Sequence, residues 1–394
     1  MKILYIANGN GLNPAIGGSL GRSIEIASRL KKMGHEIYFL TTLGGYKACR
    51  TMSLDVHYYL LPASIFKRKE TGLFDRAFAY IISTLSAFWI VPRLPKYDLV
   101  YSDSDYFCDV IPAVVYKKIK KAKWVAMTHH KIEVSKKKTR DFIISYLSSQ
   151  LQLFSYFLFK KFADGIFVYK SHMGQAIVNY LVSKGVSPSK VYKVTNGVDL
   201  RFIQQVAVEE KIYDACFVGG LRPSKGIYDI VPIWKRVLEK RKDAVLVVVG
   251  GGLKEYENEI KSHIQKDGLN SQIKMVGAKS HEETIKIMKQ SRVFISPSHE
   301  EGWGTAICEA LACGLPVIAY DLFVYKGIFD NLIITVPLTN IQLFADAILH
   351  SFSKENLLKM KIEEKREVIA SQYGWDKIAD REAELFKEIY ETKI

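Results

Sequence analysis

The sequence lacks the patterns that mark several large protein classes. Its five cysteines occur without a CxxC pair or any metal-ligand spacing, which argues against a disulfide framework or a zinc site and favours buried, reduced thiols. No low-complexity tract predicts disorder, and neither a clean GxGxxG fingerprint nor a GxxxxGK[ST] loop is present. What remains is a globular protein of 394 residues, a length that exceeds a single core and predicts two domains.

Acidic residues are scarce in the first half of the chain. Residues 1–195 contain 29 Lys and Arg but only 12 Asp and Glu, a net charge of +17, whereas the whole chain carries +15. A charge excess confined to one half indicates an anionic partner for that half, either a membrane surface or a nucleic acid. A solvated basic surface would have the same composition.

Apolar runs and helical patterns alternate from the start of the chain. Residues 2–7 predict a strand, a glycine-rich segment with Gly17 and Gly18 follows, and a helical pattern leads to a second strand at residues 35–42. This βαβ opening indicates a parallel sheet. The glycine pair is typical of a turn, and it indicates a close approach to a phosphate only with support from elsewhere in the chain.

Two later strands of the first half end in polar residues, at the edge where open parallel sheets bind ligands. Residues 97–102 lead into Asp103-Ser104-Asp105, a triplet that can hold a divalent metal but that is easily matched by chance. Residues 123–128 end in His129 and His130. At most one of these histidines can face a ligand, because neighbours on a strand point to opposite sides. A structural role stays open for both.

Residues 142–159 form a stretch without any charge, close to the length of a membrane span. Polar residues recur in it at helical spacing, namely Ser145, Ser148, Ser149, Gln152 and Ser155. This stripe favours a buried domain helix or a helix on the bilayer surface over a transmembrane helix. A second uncharged stretch, residues 77–91, is too short to span. With the lysine-rich residues 117–123, both stretches would form a basic, apolar surface suited to anionic lipid.

In the second half, a loop with two cations joins a strand to a helix. Residues 214–218 predict the strand, and the loop of residues 219–226, with Arg222 and Lys225, leads into a helix. The guanidinium, the ammonium and the N–H groups of the helix start form a cradle for an anion, although a solvated lysine would look the same. Alternating strands and helices follow, so this half is a second Rossmann-like domain.

The most informative stretch surrounds two glutamates. Residues 293–295 predict a buried strand, a glycine-rich turn follows, and a helix begins near Thr305 and ends at Gly314. Glu301 precedes this helix and Glu309 lies within it, about 12 Å away if all eight steps are helical. Loop glycines, a helix N-terminus and two carboxylates suit a ligand with a diphosphate in its middle and hydroxyls at both ends, such as a sugar nucleotide.

Together these features resemble glycosyltransferase family 4, whose members are retaining enzymes of the GT-B architecture. The resemblance extends over nearly the whole chain, and its E-x7-E signature is specific. The matching segments are Gly17-Gly18 with Ala27, Leu30 and Gly34-His35-Glu36; His129; Asn196-Gly197-Val198-Asp199; residues 219–226; and Glu301-Gly302-Trp303-Gly304 with Glu309-Ala310 and Gly314-Leu315-Pro316-Val317. The resemblance implies an α/β fold of two Rossmann-like domains whose parallel sheets face an interdomain cleft.

The resemblance also implies the domain boundaries and the roles of the site residues. An acceptor- and membrane-facing domain would span residues 1–197, with a C-terminal helix, 376–394, crossing back onto it, and a nucleotide-sugar domain would span 198–375. Glu309 would bind the ribose, Glu301 the hexose and Lys225 the diphosphate. His129 would face the hexose and complete the catalytic set with Glu301 and Lys225. The other donor-binding residues would be Gly17, Gly18, Arg222, Gly302, Trp303, Gly304 and Thr305.

The chain departs from the family at one position. The family usually has arginine where Gly220 stands, and Arg222 follows two residues later. Lys225 is therefore the firmer diphosphate ligand, and Arg222 is the candidate for the missing guanidinium.

The sequence as a whole predicts a retaining, metal-independent hexosyltransferase that uses a nucleotide sugar, with a UDP-sugar favoured. The acceptor is predicted to be a membrane-associated, lipid-linked glycan or polysaccharide, and the enzyme to be cytoplasmic, held at the cytosolic membrane face by anionic lipid. No metal or other cofactor is expected, because Lys225 and helix ends neutralise the diphosphate. The alternatives are a soluble acceptor (a sugar phosphate or a glucan), a nucleic-acid-binding protein and a GT-B epimerase.

Overall fold

The computed structural model describes residues 1–9, 18–61, 73–129, 132, 140–208, 210–353 and 361–392. Gly17, His130 and most of the basic run before the long uncharged helix lie outside these residues. The chain divides into two compact units. Unit 1 comprises Met1–Asn196 and Trp375–Ile394, and unit 2 comprises Gly197–Gly374. Both division points lie one residue from the boundaries expected from the sequence.

Unit 1 contains a sheet of seven parallel strands, whose apolar side chains are buried because helices cover the sheet. The strand order is β3-β2-β1-β4-β5-β6-β7. The strands are Lys2–Ala7 (β1), Glu36–Thr41 (β2), His57–Leu60 (β3), Leu99–Ser102 (β4), Lys123–Thr128 (β5), Gly165–Tyr169 (β6) and Val191–Val194 (β7). The helices between them are Gly18–Lys32 (α1), Leu43–Thr51 (α2), Leu73–Ile90 (α3), Phe107–Lys120 (α4), Arg140–Phe162 (α5) and His172–Ser183 (α6).

Unit 2 contains a second parallel sheet, with the order β10-β9-β8-β11-β12-β13. Its strands are Tyr213–Val218 (β8), Leu246–Val249 (β9), Ile273–Gly277 (β10), Ser291–Ser296 (β11), Val317–Tyr320 (β12) and Ile334–Val336 (β13). Its helices are Leu200–Gln205 (α7), Ile227–Lys240 (α8), Lys254–Lys266 (α9), His281–Lys289 (α10), Thr305–Ala312 (α11), Ile341–Ser351 (α12) and Ile362–Tyr373 (α13).

The direction of strand addition reverses beside β8. The chain adds β9 and β10 on one side of β8 and then returns to place β11 on the other, where Val293 pairs with Ala215. Loops that leave adjacent strands on opposite sides of such a switch point diverge and open a crevice for ligands. The loop after β8 and the loop after β11 both leave the carboxyl edge of this sheet at the switch point. They carry Lys225 and Glu301.

The last helix, Trp375–Glu391 (α14), belongs to unit 1 although it follows unit 2 in the chain. Its apolar residues Ile378, Leu385 and Ile389 are buried. A buried ion pair between Arg22 of α1 and Glu382 of α14 adds a polar contact that the sequence does not reveal. Removing one partner of such a pair leaves an uncompensated buried charge, so the pair fixes the position of α14.

The predicted fold class is confirmed, because each unit is a Rossmann-like layer structure around a parallel sheet. All five cysteines are free, and four of them are buried, in agreement with the expectation from their spacing. Among the described helices, none combines the length and the apolar character that crossing a membrane requires.

Candidate active site

The two loops at the switch point of unit 2 are joined by backbone contacts. The carbonyl oxygen of Ser224 accepts hydrogen bonds from the N–H groups of His299, at 2.9 Å, and Glu300, at 3.1 Å. Gly226 has a φ of +66°, and a Cβ atom built on it would lie 1.7 Å from the carbonyl oxygen of Pro297. Only glycine permits both this conformation and this close approach. The contact sets the distance between the cation of one loop and the carboxylate of the other.

Lys225 and Glu301 form an ion pair across these loops, with Nζ 2.5 Å from Oε1. The hydroxyl of Ser298 donates a second hydrogen bond, 2.9 Å long, to the same oxygen. Both side chains are largely buried, with 16% and 13% of their surface exposed. Within the described residues, Oε2 of Glu301 accepts no hydrogen bond. The carboxylate is therefore held through one oxygen and presents the other.

Glu309 lies on α11 and is held in the same way. Its Oε1 is 3.0 Å from Nε2 of His281, the first residue of α10. Phe202 of α7 stacks on the His281 ring, with centroids 4.8 Å apart and an interplanar angle of 12°. A capping box between Ser280 and Glu283 fixes the start of α10 and so the backbone of His281. Within the described part of the chain, Oε2 of Glu309 has no hydrogen-bond donor.

The N-terminus of α11 lies between the two glutamates in the sequence. Gly304 is the N-cap residue and has a φ of +100°, while Thr305 begins the helix as predicted. A Cβ atom built on Gly302 would meet nothing within 4 Å, so the loop leaves open space above its backbone. The first N–H groups of a helix and its dipole favour an anion. Carboxylates flanking a helix start can bind hydroxyls on either side of a phosphate group.

Trp303 lies in the interior of unit 2. Its ring packs edge-on against Phe329, at 5.3 Å, and Tyr373, at 5.5 Å. Its indole N–H has no hydrogen-bond partner among the described residues. The buried ring of Trp303 anchors the glycine-rich loop before α11 to the interior of unit 2.

Arg222 and Gly220 are placed differently from Lys225. The Arg222 side chain is exposed and makes no ion pair or hydrogen bond within the described ranges. A Cβ atom on Gly220 would have the carbonyl oxygen of Gly251, 3.9 Å away, as its nearest neighbour. The position where the family usually has arginine therefore has room for a side chain.

A network behind Lys225 was not foreseen from the sequence. Oδ2 of Asp229, in the first turn of α8, lies 2.7 Å from Nε2 of His299 and accepts a 2.9 Å hydrogen bond from the hydroxyl of Tyr320. Burial first, and then Asp229, raises the pKa of Tyr320, which therefore stays a phenol and a donor. These contacts tie α8 to the loop after β11 and to the end of β12.

In unit 1, His129 lies at the end of β5 as predicted. Its Nε2 is 2.6 Å from the carbonyl oxygen of Asp103, which can only accept, and its Nδ1 is 3.1 Å from the hydroxyl of Tyr169. Burial lowers the pKa of His129, so the ring is neutral, with the proton on Nε2. Both ring nitrogens are therefore engaged within unit 1.

The carboxylates of Asp103 and Asp105 are buried and already accept hydrogen bonds. Ser23 donates to Asp103, while Thr128, at 2.7 Å, and Gln152, at 2.8 Å, donate to Asp105. No group of three candidate metal ligands occurs among the residues that the structure describes. The triplet thus forms part of the polar interior of unit 1.

Hydrogen bonds to α4 hold the first residues after β1, Asn8 and Gly9, where the glycine-rich segment begins. Oδ1 of Asp109, in α4, accepts hydrogen bonds from the N–H groups of Asn8, at 2.6 Å, and Gly9, at 3.1 Å. Burial raises the pKa of Asp109 to about 8, although these hydrogen bonds oppose the shift. Gly18, predicted as a phosphate approach, is the first residue of α1.

Residues 199–368 match the family model described as glycosyl transferases group 1. The matched range contains Lys225, Glu301 and Glu309 and excludes unit 1. Residues 199–368 therefore belong to this glycosyltransferase family.

Two relatives illustrate the range of this glycosyltransferase family. An uncharacterized glycosyltransferase of Methanocaldococcus jannaschii is 30% identical over 185 residues, 44% of this chain and 44% of the relative. The UDP-Gal:alpha-D-GlcNAc-diphosphoundecaprenol alpha-1,3-galactosyltransferase of Escherichia coli is 28% identical over 226 residues, 53% of this chain and 57% of the relative. The matches thus span about half the length of both relatives.

Among solved structures, the crystal structure of Anabaena HepE in complex with UDP and glucose resembles the whole chain. The TM-score is 0.74 at 17% identity, and the match covers 98% of this chain and 100% of that chain. At this identity the likeness shows the fold, so the predicted GT-B architecture extends to both units.

The site of this glycosyltransferase includes residues that the sequence alone does not reveal. His281 follows a recognisable helix cap, but its contact with Glu309 depends on where the loops of unit 2 meet. Asp229 looks like an ordinary first-turn acidic residue of a helix. Their neighbours in the site are far away in the chain, so local patterns give no sign of either role.

Proposed function

We propose that this glycosyltransferase moves a hexose, with retention of anomeric configuration, from a nucleotide sugar to a membrane-associated, lipid-linked glycan or polysaccharide. One observation carries the proposal. Glu301 and Glu309 are each held through Oε1 by a cation or imidazole and each present Oε2. The N-terminus of α11 lies between them in the chain. This is the arrangement that a ligand with two hydroxylated ends and a central diphosphate requires.

Each part of the nucleotide-sugar donor would bind to a different residue of the site. Glu309 accepts hydrogen bonds from the ribose hydroxyls, and His281 keeps its carboxylate in place. Glu301 accepts hydrogen bonds from the hexose. Lys225, whose ammonium has three donor positions, bonds Glu301 with one and offers the others to the diphosphate, together with the N–H groups of α11. Arg222, exposed and without a partner in the described residues, supplies the guanidinium that the family has at the position of Gly220.

The chemistry follows the movement of charge. The anomeric C–O bond breaks, its electron pair passes to the terminal phosphate oxygen, and positive charge develops on the sugar. An acceptor hydroxyl attacks the anomeric carbon from the face that the phosphate leaves, and its proton passes to that phosphate oxygen. Lys225 and the helix N–H groups stabilise the diphosphate as its negative charge grows. The roles that the family resemblance implies for His129, Gly17 and Gly18 stay predictions. No metal ion is required.

A UDP-sugar is the favoured donor and a polyprenyl-linked sugar the favoured acceptor. The E. coli relative is named for both, and the HepE structure contains UDP. The basic first half, with a net charge of +17 over residues 1–195, suits the cytosolic face of a membrane with anionic lipid. The enzyme is therefore proposed to be cytoplasmic and peripheral.

A thermal-shift screen with UDP-, GDP- and ADP-sugars tests the donor. A UDP-sugar should raise the melting temperature of the wild type but not of Glu309→Ala, and the exposed neighbour variant Glu300→Gln should respond like the wild type. If no nucleotide sugar stabilises the wild type, the donor assignment fails.

Transfer to a polyprenyl-diphosphate sugar, compared with a sugar phosphate, tests the acceptor. NMR of the product should show the anomeric configuration of the donor, and EDTA should leave the rate unchanged. An inverted product or EDTA-sensitive transfer would refute the mechanism, and transfer to the soluble acceptor alone would refute the membrane acceptor.

A further inference from the structure

Helix α3 has its polar and apolar sides reversed. Ser83 and Thr84 are buried against the core of unit 1. Ile81, Leu85 and Trp89 are exposed, Trp89 by 72%. Their spacing puts them on one face of the helix, which points away from the protein. A helix on the surface of a water-soluble protein normally shows the opposite distribution.

Helix α5 is reversed in the same way. Gln152 and Ser155, part of the polar stripe seen in the sequence, are buried, and Gln152 donates a 2.8 Å hydrogen bond to Asp105. These two residues of the stripe thus face the protein interior. The exposed face carries large apolar side chains instead, namely Tyr146, Leu147, Leu151, Phe154 and Phe157.

The two reversed helices lie on the same side of unit 1. Both pack against α4, and Ala87 of α3, Val114 of α4 and Phe159 of α5 belong to one buried core. Their exposed side chains form what we call the outer apolar face. It consists of Ile81, Leu85, Phe88, Trp89, Tyr146, Leu147, Leu151, Phe154 and Phe157. Monomeric soluble proteins rarely expose large apolar patches, and such patches mark sites of interaction with proteins, membranes or ligands.

Cations lie beside the outer apolar face. The guanidinium of Arg93 lies 5.9 Å from the Trp89 ring, and the ammonium of Lys161 lies 6.0 Å from the Phe157 ring. The ammonium of Lys118 lies 4.5 Å from the ring of Phe162, the last residue of α5. The helical stretches themselves, residues 77–91 and 142–159, contain no charge. The face is thus apolar across its middle and cationic where α3, α4 and α5 end.

We propose that the outer apolar face docks on an anionic lipid bilayer and inserts its aliphatic and aromatic side chains among the acyl chains. Arg93, Lys118 and Lys161 then lie at the level of the lipid phosphates, and Trp89 lies in the interface that tryptophan prefers. A protein partner would need an apolar surface with an acidic border, whereas an anionic bilayer offers both features everywhere. The proposal rests on the proposed function in placing the acceptor in a membrane.

Trp89 provides a direct optical test. The chain has five tryptophans, and Trp124, Trp234, Trp303 and Trp375 are buried. Acrylamide should therefore quench mainly Trp89 in the full-length protein. Vesicles of phosphatidylcholine with phosphatidylglycerol should shift the emission to the blue and protect it from acrylamide, and Trp89→Phe should lose both responses. An unchanged Trp89 emission in vesicle-bound protein would overturn the proposal.

Vesicle co-sedimentation tests the face as a whole. The triple variant Leu85→Gln, Leu147→Gln and Phe157→Gln should bind anionic vesicles about tenfold or more weakly than the wild type. The matched control changes Phe323, Leu338 and Leu343 of unit 2, which are similarly exposed, to Gln and should bind like the wild type. Lys118→Gln with Lys161→Gln should lower binding at low salt. Equal binding of the wild type and the triple variant contradicts the proposal.

Two further measurements separate this proposal from its alternatives. If light scattering shows that the wild type is a dimer and the triple variant a monomer, the face is a protein interface and the proposal fails. The triple variant should keep its melting temperature and its thermal shift with a UDP-sugar. If vesicle binding behaves as expected but no nucleotide sugar stabilises the wild type, the docking face stands and the proposed function fails.

Discussion

Lys225 and Glu301, 76 positions apart in the chain, form a 2.5 Å ion pair at the carboxyl edge of the unit 2 sheet. The pair joins the residue assigned to the diphosphate to the residue assigned to the hexose. A change at either position therefore alters both the charge and the geometry of the site. Neighbouring backbone hydrogen bonds from His299 and Glu300 to Ser224 hold the two loops in register.

Replacing Lys225 should slow catalysis more than it weakens donor binding. Lys225→Ala removes a cation whose contact strengthens as the diphosphate gains charge, so kcat should fall by about 10²–10³, or about 2.7–4 kcal/mol. Steady-state transfer kinetics measure this effect. Lys261→Ala, at an exposed lysine of the same unit, is the matched control and should be unchanged. A rise in KM with unchanged kcat would show that Lys225 stabilises the ground state and the transition state equally.

Two of the three glycines in the loop between β8 and α8, Gly226 and Gly220, should respond differently to the same substitution. Gly226→Ala forces an alanine into a positive φ and against the carbonyl oxygen of Pro297, which should cost about 1–3 kcal/mol or more. Gly220→Ala meets only an ordinary contact at 3.9 Å and should leave stability nearly unchanged. Melting temperatures of both variants test this contrast. Equal melting temperatures would mean that the loops are not held together as described.

His281 should act on donor affinity through Glu309. His281→Ala removes one hydrogen bond at a half-exposed site, worth roughly 1 kcal/mol, and should raise the KM for the donor about fivefold. The ribose is bound equally in the ground and transition states, so kcat should not change. His263→Ala, on the exposed side of α9, is the control. A lower kcat with unchanged KM would place His281 in the chemical step instead.

Asp109 should make the stability of the protein depend on pH. Burial raises its pKa in the folded state to about 8, whereas an unfolded chain has an ordinary Asp pKa of about 4. Between these values the folded state binds more protons, so this group lowers the free energy of unfolding as the pH rises. Asp109→Asn keeps an acceptor for the N–H groups of Asn8 and Gly9 but removes the titration.

Melting curves from about pH 5 to about pH 8 measure this effect. The melting temperature of the wild type, relative to Asp109→Asn, should decline with rising pH across this window. Parallel curves for the two proteins would mean that Asp109 titrates at its ordinary pKa.

Much of the site can be predicted because its signals are local. The apolar run of β11, the glycines that follow it and the helix that begins at Thr305 are neighbours in the chain. Their order places Glu301 before the helix and Glu309 within it whatever the rest of the chain does. The departure at Gly220 is likewise visible in the sequence alone.

Other features depend on which elements become neighbours. Helical spacing shows that Gln152 and Ser155 share a face of α5 with other polar residues, but not whether that face meets water or protein. The structure places Gln152 and Ser155 in the interior, where Gln152 donates a hydrogen bond to Asp105. The apolar face of α5 is left exposed. In the same way Asp103-Ser104-Asp105 could be a metal triplet or a hydrogen-bonded interior until Ser23 and Thr128 are placed beside it.

The sequence by itself determined the α/β class, the resemblance to the family, and the places of Glu301, Glu309 and Lys225 beside or within their helices, because short-range periodicity and motif spacing encode them. Only the tertiary structure decided that Lys225 bonds Glu301, that His281 holds Glu309 and that Arg22 meets Glu382 in α14. Each of these contacts joins residues far apart in the chain. Strand order and packing bring them together, and neither property is written in any single stretch of sequence.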